Sequence, residues 1–243
     1  MVGALLLAAR AALRLGAGRV WCAPLDPRLA IDPMQPELMF AIPEAVFDLP
    51  PPGCLVIGPG LGRTQTAREI LQAALGSELS LLIDADALNL LAEDASMRAA
   101  LRKRIAATVY TPHPGEAARM LGQTRLDSER EAVLAALGER YPGVIVLKGA
   151  GTLIQGADGA CWRNPSGNPG LAAPGMGDTL AGIIAALIAQ GLNAERAACL
   201  GVWLHGAAGD ALRQEIGGMV GITAGEVAIR ARQILNRHCG AAD

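Results

Sequence analysis

The chain has 243 residues, a hydrophobic fraction of 51% and a formal net charge of −2 at pH 7. The hydrophobic fraction excludes an intrinsically disordered chain, and the balanced charge with no basic stretch argues against a nucleic-acid partner. The mean hydropathy of +0.32 raises the question of a membrane segment. The longest apolar run, residues 179–192, is shorter than the ~20 residues that a spanning helix needs, so we expect no membrane partner.

Cysteine usage and the N-terminal run both favour a cytoplasmic protein. Residues 1–18 carry Arg10 and Arg14 at helical spacing, which predicts an amphipathic helix rather than a signal peptide. The chain contains five scattered cysteines with no CxxC pair, namely Cys22, Cys54, Cys161, Cys199 and Cys239. This pattern favours buried thiols over a disulfide framework.

Short apolar runs alternate with helical patterns along the chain. Strands are predicted at 19–23, 54–57, 79–83, 106–110 and 144–147, with a hairpin of 152–155 and 160–163. After the N-terminal helix, further helices are predicted at 64–75, 116–121, 128–137, 178–190, 194–212 and 224–236, with helical patterns over 87–101 and a short helix near 37–40. Strands that alternate with helices predict a mostly parallel sheet. No repeat or linker is visible, so we expect a single domain over residues 1–243.

Chemically useful residues follow four consecutive predicted strands. The segments are Gly-Pro-Gly-Leu-Gly at 58–62, Asp-Ala-Asp at 84–86, His-Pro-Gly-Glu at 113–116 and Lys-Gly-Ala-Gly-Thr at 148–152. In open α/β sheets, ligands bind outside the carboxyl ends of the strands. The four segments therefore predict one built site at this edge of the sheet.

The Gly-rich segment 170–182 leads directly into an apolar helix and is the sharpest motif in the chain. Glycine lets the backbone approach a ligand closely, and the free N–H groups of a first helical turn attract anions. Asp178 is then either a helix cap or a catalytic base, and the helix dipole is expected to lower its pKa. There is no Walker A motif, and Arg63 replaces the third glycine of a dinucleotide fingerprint.

Each of four other polar residues has two possible roles. Lys148, one of only two lysines, either snorkels to solvent or meets a phosphate. His113 is either a structural histidine or a ligand contact held by flanking prolines. Asp84 and Asp86 either cap the next helix or hold Mg²⁺ through water.

Five motifs occur together in one order and carry a family resemblance. They are VIGPGLG (56–62), DADALNLLA (84–92), TPHPGEAARMLG (111–122), VLKGAGTLI (146–154) and GNPGLAAPGMGDTLAG (167–182). In these motifs the chain resembles the ADP/ATP-dependent NAD(P)H-hydrate dehydratase family, the C-terminal domain of the bifunctional NAD(P)H-hydrate repair enzyme. The resemblance extends over nearly the whole chain.

The resemblance implies a ribokinase-like three-layer α/β/α sandwich around a mostly parallel sheet. It implies that ADP or ATP phosphorylates the ring hydroxyl of the 6S hydrate of NADH or NADPH, and that phosphate then leaves. Asp178 would take the hydroxyl proton beside an anion hole of Gly175, Met176 and Gly177. Substrate contacts are implied for Gly3, Ala4, Gly60, His113 and Asp178. Nucleotide contacts are implied for Lys148, Gly149, Ala150, Gly151, Thr152 and Gly177. His113 and Glu116 match the position where related kinases hold Mg²⁺, which makes Glu116 a candidate metal ligand.

One departure from the family pattern concerns the N-terminus. The family begins with a strand and a Gly-rich turn ahead of the helix that starts here at Met1. We therefore expect the fold to lack that first strand and to leave a sheet position empty. The resemblance also implies a homo-oligomer, a tetramer in many members, and an epimerase domain on the same or another chain. A ribokinase-like small-molecule kinase and a nucleotide-binding fragment without turnover remain alternatives.

Overall fold

A computed structural model describes residues 2–48 and 53–239. The helices are α1 Val2–Arg14, α2 Gln65–Gly76, α3 Ala85–Glu93, α4 Ala95–Leu101, α5 Pro114–Met120, α6 Arg130–Arg140, α7 Met176–Ala189, α8 Ala194–Ile216 and α9 Ala224–Cys239. The strands are β1 Trp21–Cys22, β2 Met39–Phe40, β3 Cys54–Ile57, β4 Ser80–Ile83, β5 Thr108–Tyr110, β6 Val144–Leu147, β7 Leu153–Gln155 and β8 Cys161–Arg163. Short 3-10 helices span Pro43–Asp48 and Pro169–Leu171.

The main sheet has the strand order β3-β4-β5-β6-β7-β8. Strands β3 to β6 are parallel, and the hairpin of β7 and β8 adds antiparallel strands. Ile57 pairs with Ile83, and Ile83 pairs with Tyr110. This register brings the carboxyl ends of the parallel strands to one edge, where the predicted site residues follow.

Helices cover both faces of the main sheet. One core packs α1, α7, α8 and α9 against residues such as Leu82 and Val109, and the other packs α2 to α6 against residues such as Leu81 and Ile83. Parallel strands that are buried on both faces are expected to be continuously apolar, as the runs in β4 and β6 are. The three-layer fold with a mostly parallel sheet is confirmed.

Helix α1 lies directly on α7 through a glycine. A Cβ atom at Gly182 would collide with the backbone carbonyl oxygen of Ala8. Because no side chain separates the two helices at this point, α1 is held close to the helix that carries Asp178.

A cavity of about 380 Å³ lies between β1 and β3. It is lined by residues 19–23 on one side and 54–57 on the other, with alanines of α1 and α7 beside them. Among residues 2–48 and 53–239, β1 pairs only with β2, and β3 pairs only with β4. The cavity therefore separates the small sheet of β1 and β2 from the edge of the main sheet at β3.

One predicted element differs from the structure. Residues 37–40 were predicted as a short helix, but Met39–Phe40 forms β2, where Met39 N–H donates to the carbonyl oxygen of Val20 at 3.0 Å. The helical patterns predicted over 87–101 belong to α3 and α4, which are separate because the Asp94 side chain accepts hydrogen bonds from Ser96 and Met97 and starts α4. None of the helices in the described part of the chain is long and apolar enough to cross a membrane.

Candidate active site

The Gly-rich segment ends in an open helix N-terminus. Gly175 precedes α7 with a φ of +84°, a left-handed conformation that favours glycine. Met176, Gly177 and Asp178 form the first turn, whose N–H groups have no acceptor within the helix. The Met176 N–H donates to the carbonyl oxygen of Ala173 at 3.4 Å, just before the helix. Anion binding at this turn stays a prediction. Asp178 is the third residue of α7 and makes no capping hydrogen bond. The interpretation of Asp178 as a helix cap is therefore wrong.

The electrostatics of Asp178 also differ from the sequence expectation. Its half-buried carboxyl has a pKa raised above the ordinary value, mainly by burial and then by the negative charge of Asp84, while Lys148 opposes the rise. The expectation that the helix dipole lowers this pKa is wrong, because burial and a like charge outweigh the dipole. A raised pKa makes Asp178 a better proton acceptor than an exposed aspartate.

Lys148 connects β6 to the first turn of α7. Its ammonium Nζ lies 2.8 Å from Asp84 Oδ1 and 3.9 Å from Glu116 Oε2. A Cβ placed on Gly177 would lie only 3.1 Å from Nζ. The lysine therefore points into the site, and the snorkelling alternative is wrong. Burial alone would lower the pKa of Lys148, but Asp84 and Glu116 raise it above the ordinary lysine value, so the side chain stays charged.

Asp84 follows β4 and is only 1% exposed. It occupies the position before α3 but makes no capping hydrogen bond with its side chain, which instead accepts from Lys148. A Cβ on Gly58 would collide with the Asp84 carbonyl oxygen, so this position requires glycine. Asp86 accepts from the Gly62 N–H at 2.8 Å and ties the turn after β3 to α3.

His113 and Glu116 form a reciprocal cap at the start of α5. His113 Nδ1 accepts from the N–H groups of Gly115 and Glu116, and Glu116 Oε2 accepts from the His113 N–H at 2.8 Å. Burial, Lys148 and Arg119 lower the pKa of His113. The neutral ring, whose Nδ1 is an acceptor, carries its proton on Nε2, 3.4 Å from Glu116 Oε1. His113 is thus a structural cap, and its half-exposed ring can also donate to a ligand.

The loop after β6 has a conformation that lets its backbone approach a ligand closely. Gly149 has a φ of +139° and Gly151 a φ of +59°, and the Thr152 hydroxyl donates to the Gly149 carbonyl oxygen at 3.0 Å. Ala150 at the tip is exposed. Arg130 also contacts this loop, and sequence reasoning missed it, because it lies 18 residues before Lys148 in an ordinary polar helix start.

The remaining predicted substrate contacts lie on two segments. Gly60, with a φ of +71°, belongs to the turn after β3, beside the cavity. Gly3 and Ala4 lie in the first turn of α1; Gly3 is exposed and Ala4 is buried. Leu7, one turn later, reaches the space beside Gly175. The substrate contacts of Gly3, Ala4 and Gly60 stay predictions.

Glu116, the predicted metal ligand, is buried, and burial raises its pKa although Lys148 opposes the rise. Within residues 2–48 and 53–239, no three His, Cys, Asp or Glu side chains are grouped as metal ligands. Glu116 and Asp84 both face the Lys148 ammonium. A Mg²⁺ ion at this place would take most of its ligands from phosphate and water, which is common for Mg²⁺.

Comparison with known proteins decides the family. A family model described as NAD(P)H-hydrate dehydratase matches residues 1–229. The chain belongs to the NAD(P)H-hydrate dehydratase family. The ADP-dependent (S)-NAD(P)H-hydrate dehydratase of Neisseria meningitidis is 40% identical over 98% of this chain and 82% of its own length.

Some relatives of this dehydratase-family chain are longer. The bifunctional NAD(P)H-hydrate repair enzyme of Coxiella burnetii is 42% identical over 97% of the chain, which spans 48% of that enzyme. Among solved structures, the ADP/ATP-dependent NAD(P)H-hydrate dehydratase of Bacillus subtilis, co-crystallised with ATP and Mg²⁺, is 30% identical with a TM-score of 0.83, over 98% of this chain and 85% of that chain. A hydroxyethylthiazole kinase from Pyrococcus horikoshii, 13% identical with a TM-score of 0.59, shares the fold alone.

Proposed function

We propose that this chain uses ADP or ATP to dehydrate the 6S hydrate of NADH or NADPH, with Asp178 as the general base. The observation that carries the proposal is the position of the Lys148 ammonium against Gly177, in the turn where Asp178 begins α7. A cation, the N–H groups of a helix N-terminus and a carboxylate meet at this point. This arrangement suits phosphoryl transfer to a hydroxyl group.

The first step phosphorylates the hydrate. Asp178 accepts the proton of the ring hydroxyl, whose oxygen forms a bond to the terminal phosphorus of the nucleotide. The bond between that phosphorus and the bridging oxygen breaks, and ADP leaves as AMP or ATP leaves as ADP. Lys148 and the N–H groups of Gly175, Met176 and Gly177 stabilise the negative charge on the transferring phosphoryl group.

The second step restores the reduced nicotinamide. Phosphate is a far better leaving group than hydroxide, so the ring C–O bond breaks and phosphate departs with the electron pair. A proton then leaves the neighbouring ring carbon, and the ring double bond forms. The same first turn of α7 accepts the departing phosphate, since its N–H groups bind anions in both steps.

We propose that the two ligands meet at this turn and contact different residues. The adenine nucleotide contacts Lys148, Gly149, Ala150, Gly151, Thr152 and Gly177. The hydrate contacts Gly3, Ala4, Gly60, His113 and Asp178. The glycine conformations of the loop after β6 and the exposed tip at Ala150 support the nucleotide assignment. Glu116 would help to hold Mg²⁺, which when bound would neutralise charge on the nucleotide phosphates.

We also propose a single domain over residues 1–243 that works in the cytoplasm as a homotetramer. The scattered free cysteines of the described segments are consistent with a reducing compartment. The bifunctional relatives support an epimerase as a functional partner, on the same or another chain.

The decisive experiment is incubation of the purified protein with the NADH hydrate and either ADP or ATP. Recovery of the near-ultraviolet absorbance of NADH, with release of one phosphate for each NADH, is the expected result. A stable phosphorylated product without NADH would instead identify a small-molecule kinase. Binding of ADP without any product would identify a nucleotide-binding protein without turnover.

A further inference from the structure

Arg130, the first residue of α6, is bound to the loop after β6 by four hydrogen bonds. Its Nη2 donates to the carbonyl oxygens of Leu147 at 2.9 Å and Lys148 at 3.3 Å. Its Nη1 donates to the carbonyl oxygens of Ala150 and Gly151, the latter at 3.3 Å. One side chain thus binds four of the five consecutive carbonyl groups from Leu147 to Gly151.

The position of Arg130 is unfavourable for α6 itself. A cation at a helix N-terminus is repelled by the positive end of the helix dipole. Burial, and then the neighbouring cation of Arg163, lower the pKa of Arg130, while Glu131 opposes both. The guanidinium therefore stabilises the loop after β6 rather than α6, the helix to which Arg130 belongs.

The loop wraps closely around the guanidinium. A Cβ placed on Gly149 would lie 3.2 Å from Nη2, and the φ of +139° at Gly149 already disfavours other residues. Planar guanidinium donors have a fixed geometry, so they hold these carbonyl groups at fixed directions. Without them, Gly149 and Gly151 would let the loop sample many conformations.

We propose that Arg130 is a positioning residue that holds the loop 148–152 in its nucleotide-binding conformation before the nucleotide arrives. The proposal rests on the proposed function, because it takes the loop as the nucleotide site. Arg130 lowers the entropic cost of binding by ordering the loop in advance. It acts through the backbone of the loop and takes no part in the transfer of the phosphoryl group.

The test compares Arg130→Ala, Arg130→Lys and the control Arg140→Ala, which changes an arginine at the other end of α6. ADP affinity by calorimetry, kcat and KM for ADP, and amide hydrogen exchange of the loop are measured for each. We expect Arg130→Ala to raise Kd and KM for ADP about 10-fold with kcat changed less than about 2-fold. Its loop amides should exchange faster, and those of α6 should not. Arg130→Lys should recover little, because an ammonium is a point donor without the planar fork.

The outcomes separate the two proposals. If the unsubstituted protein does not bind ADP, the assignment of the loop as a nucleotide site is overturned. If it binds ADP, and Arg130→Ala binds ADP equally well with unchanged loop exchange, only the role of Arg130 is overturned. A fall in kcat together with faster exchange throughout α6 would show a general structural role and would also overturn the proposal.

Discussion

Two regions of the main sheet differ in how completely side chains fill them. One lies at the carboxyl ends of β4, β5 and β6, and the other lies beside β3 at the edge of the sheet. At the carboxyl ends of β4, β5 and β6, Lys148 lies between Asp84 and Glu116, and every one of these groups has an oppositely charged neighbour. Beside β3, by contrast, mostly apolar residues line a cavity of about 380 Å³. The difference shows that the charged candidate-site residues lie in a closely packed region, whereas the edge at β3 is packed more loosely.

Replacement of Asp178, the proposed base, is expected to have the largest effect. Asp178→Asn should lower kcat by a factor on the order of 10²–10⁴, because the amide cannot accept the hydroxyl proton. Affinity for ADP should change little. Steady-state kinetics and calorimetry measure both values, and a kcat close to that of the unsubstituted protein would exclude Asp178 as the base.

Removal of the Lys148 ammonium should lower the stability of the protein as well as its activity. Lys148→Met leaves Asp84 and Glu116 facing each other without their cation, which should lower the free energy of unfolding by about 3 kcal/mol. Lys103→Met, at an exposed site, should change it by less than about 0.5 kcal/mol. Denaturant unfolding measures both variants. The double variant Asp84→Asn/Lys148→Met should recover part of the loss, and further loss would argue against the ion pair.

Two leucines that face each other across β3 and β4 compare the filled and open regions directly. Leu55 pairs with Leu81, yet Leu81 is fully buried while Leu55 lines the cavity. Leu81→Ala should lower the free energy of unfolding by about 3 kcal/mol, and Leu55→Ala by about 1 kcal/mol, because Leu55 is only partly buried and removes less apolar surface from water. Equal losses in denaturant unfolding would show that the edge at β3 is as tightly packed as the centre.

A small pH effect would test the charge environment of Asp178. Protonation disables the base, so its raised pKa moves the acid limb of the kcat profile to higher pH than an exposed aspartate gives. Asp86→Asn removes one like charge and should move that limb to lower pH by about a few tenths of a unit. The exposed Asp127→Asn should leave it unchanged. A shift to higher pH in Asp86→Asn would contradict the assigned charge environment.

Local sequence patterns predicted most of the fold and the place of the site. The strands at 54–57 and 144–147 have the predicted bounds, because apolar runs between turn residues are decided locally. Residues 37–40 were predicted wrongly, since β2 depends on pairing with β1, which is distant in sequence. The raised pKa of Asp178 depends on burial and on Asp84, and neither is visible in the local sequence. Arg130 could not be found for the same reason, because its hydrogen bonds reach another element.

The contact at Gly182 has a mechanical consequence for the site. Because backbone meets backbone between α1 and α7, their spacing is fixed by covalent geometry rather than by side-chain rotamers. Asp178, the proposed base, lies one turn from Gly182 along α7. The close contact at Gly182 therefore ties the position of the N-terminal helix to the position of the helix that carries Asp178.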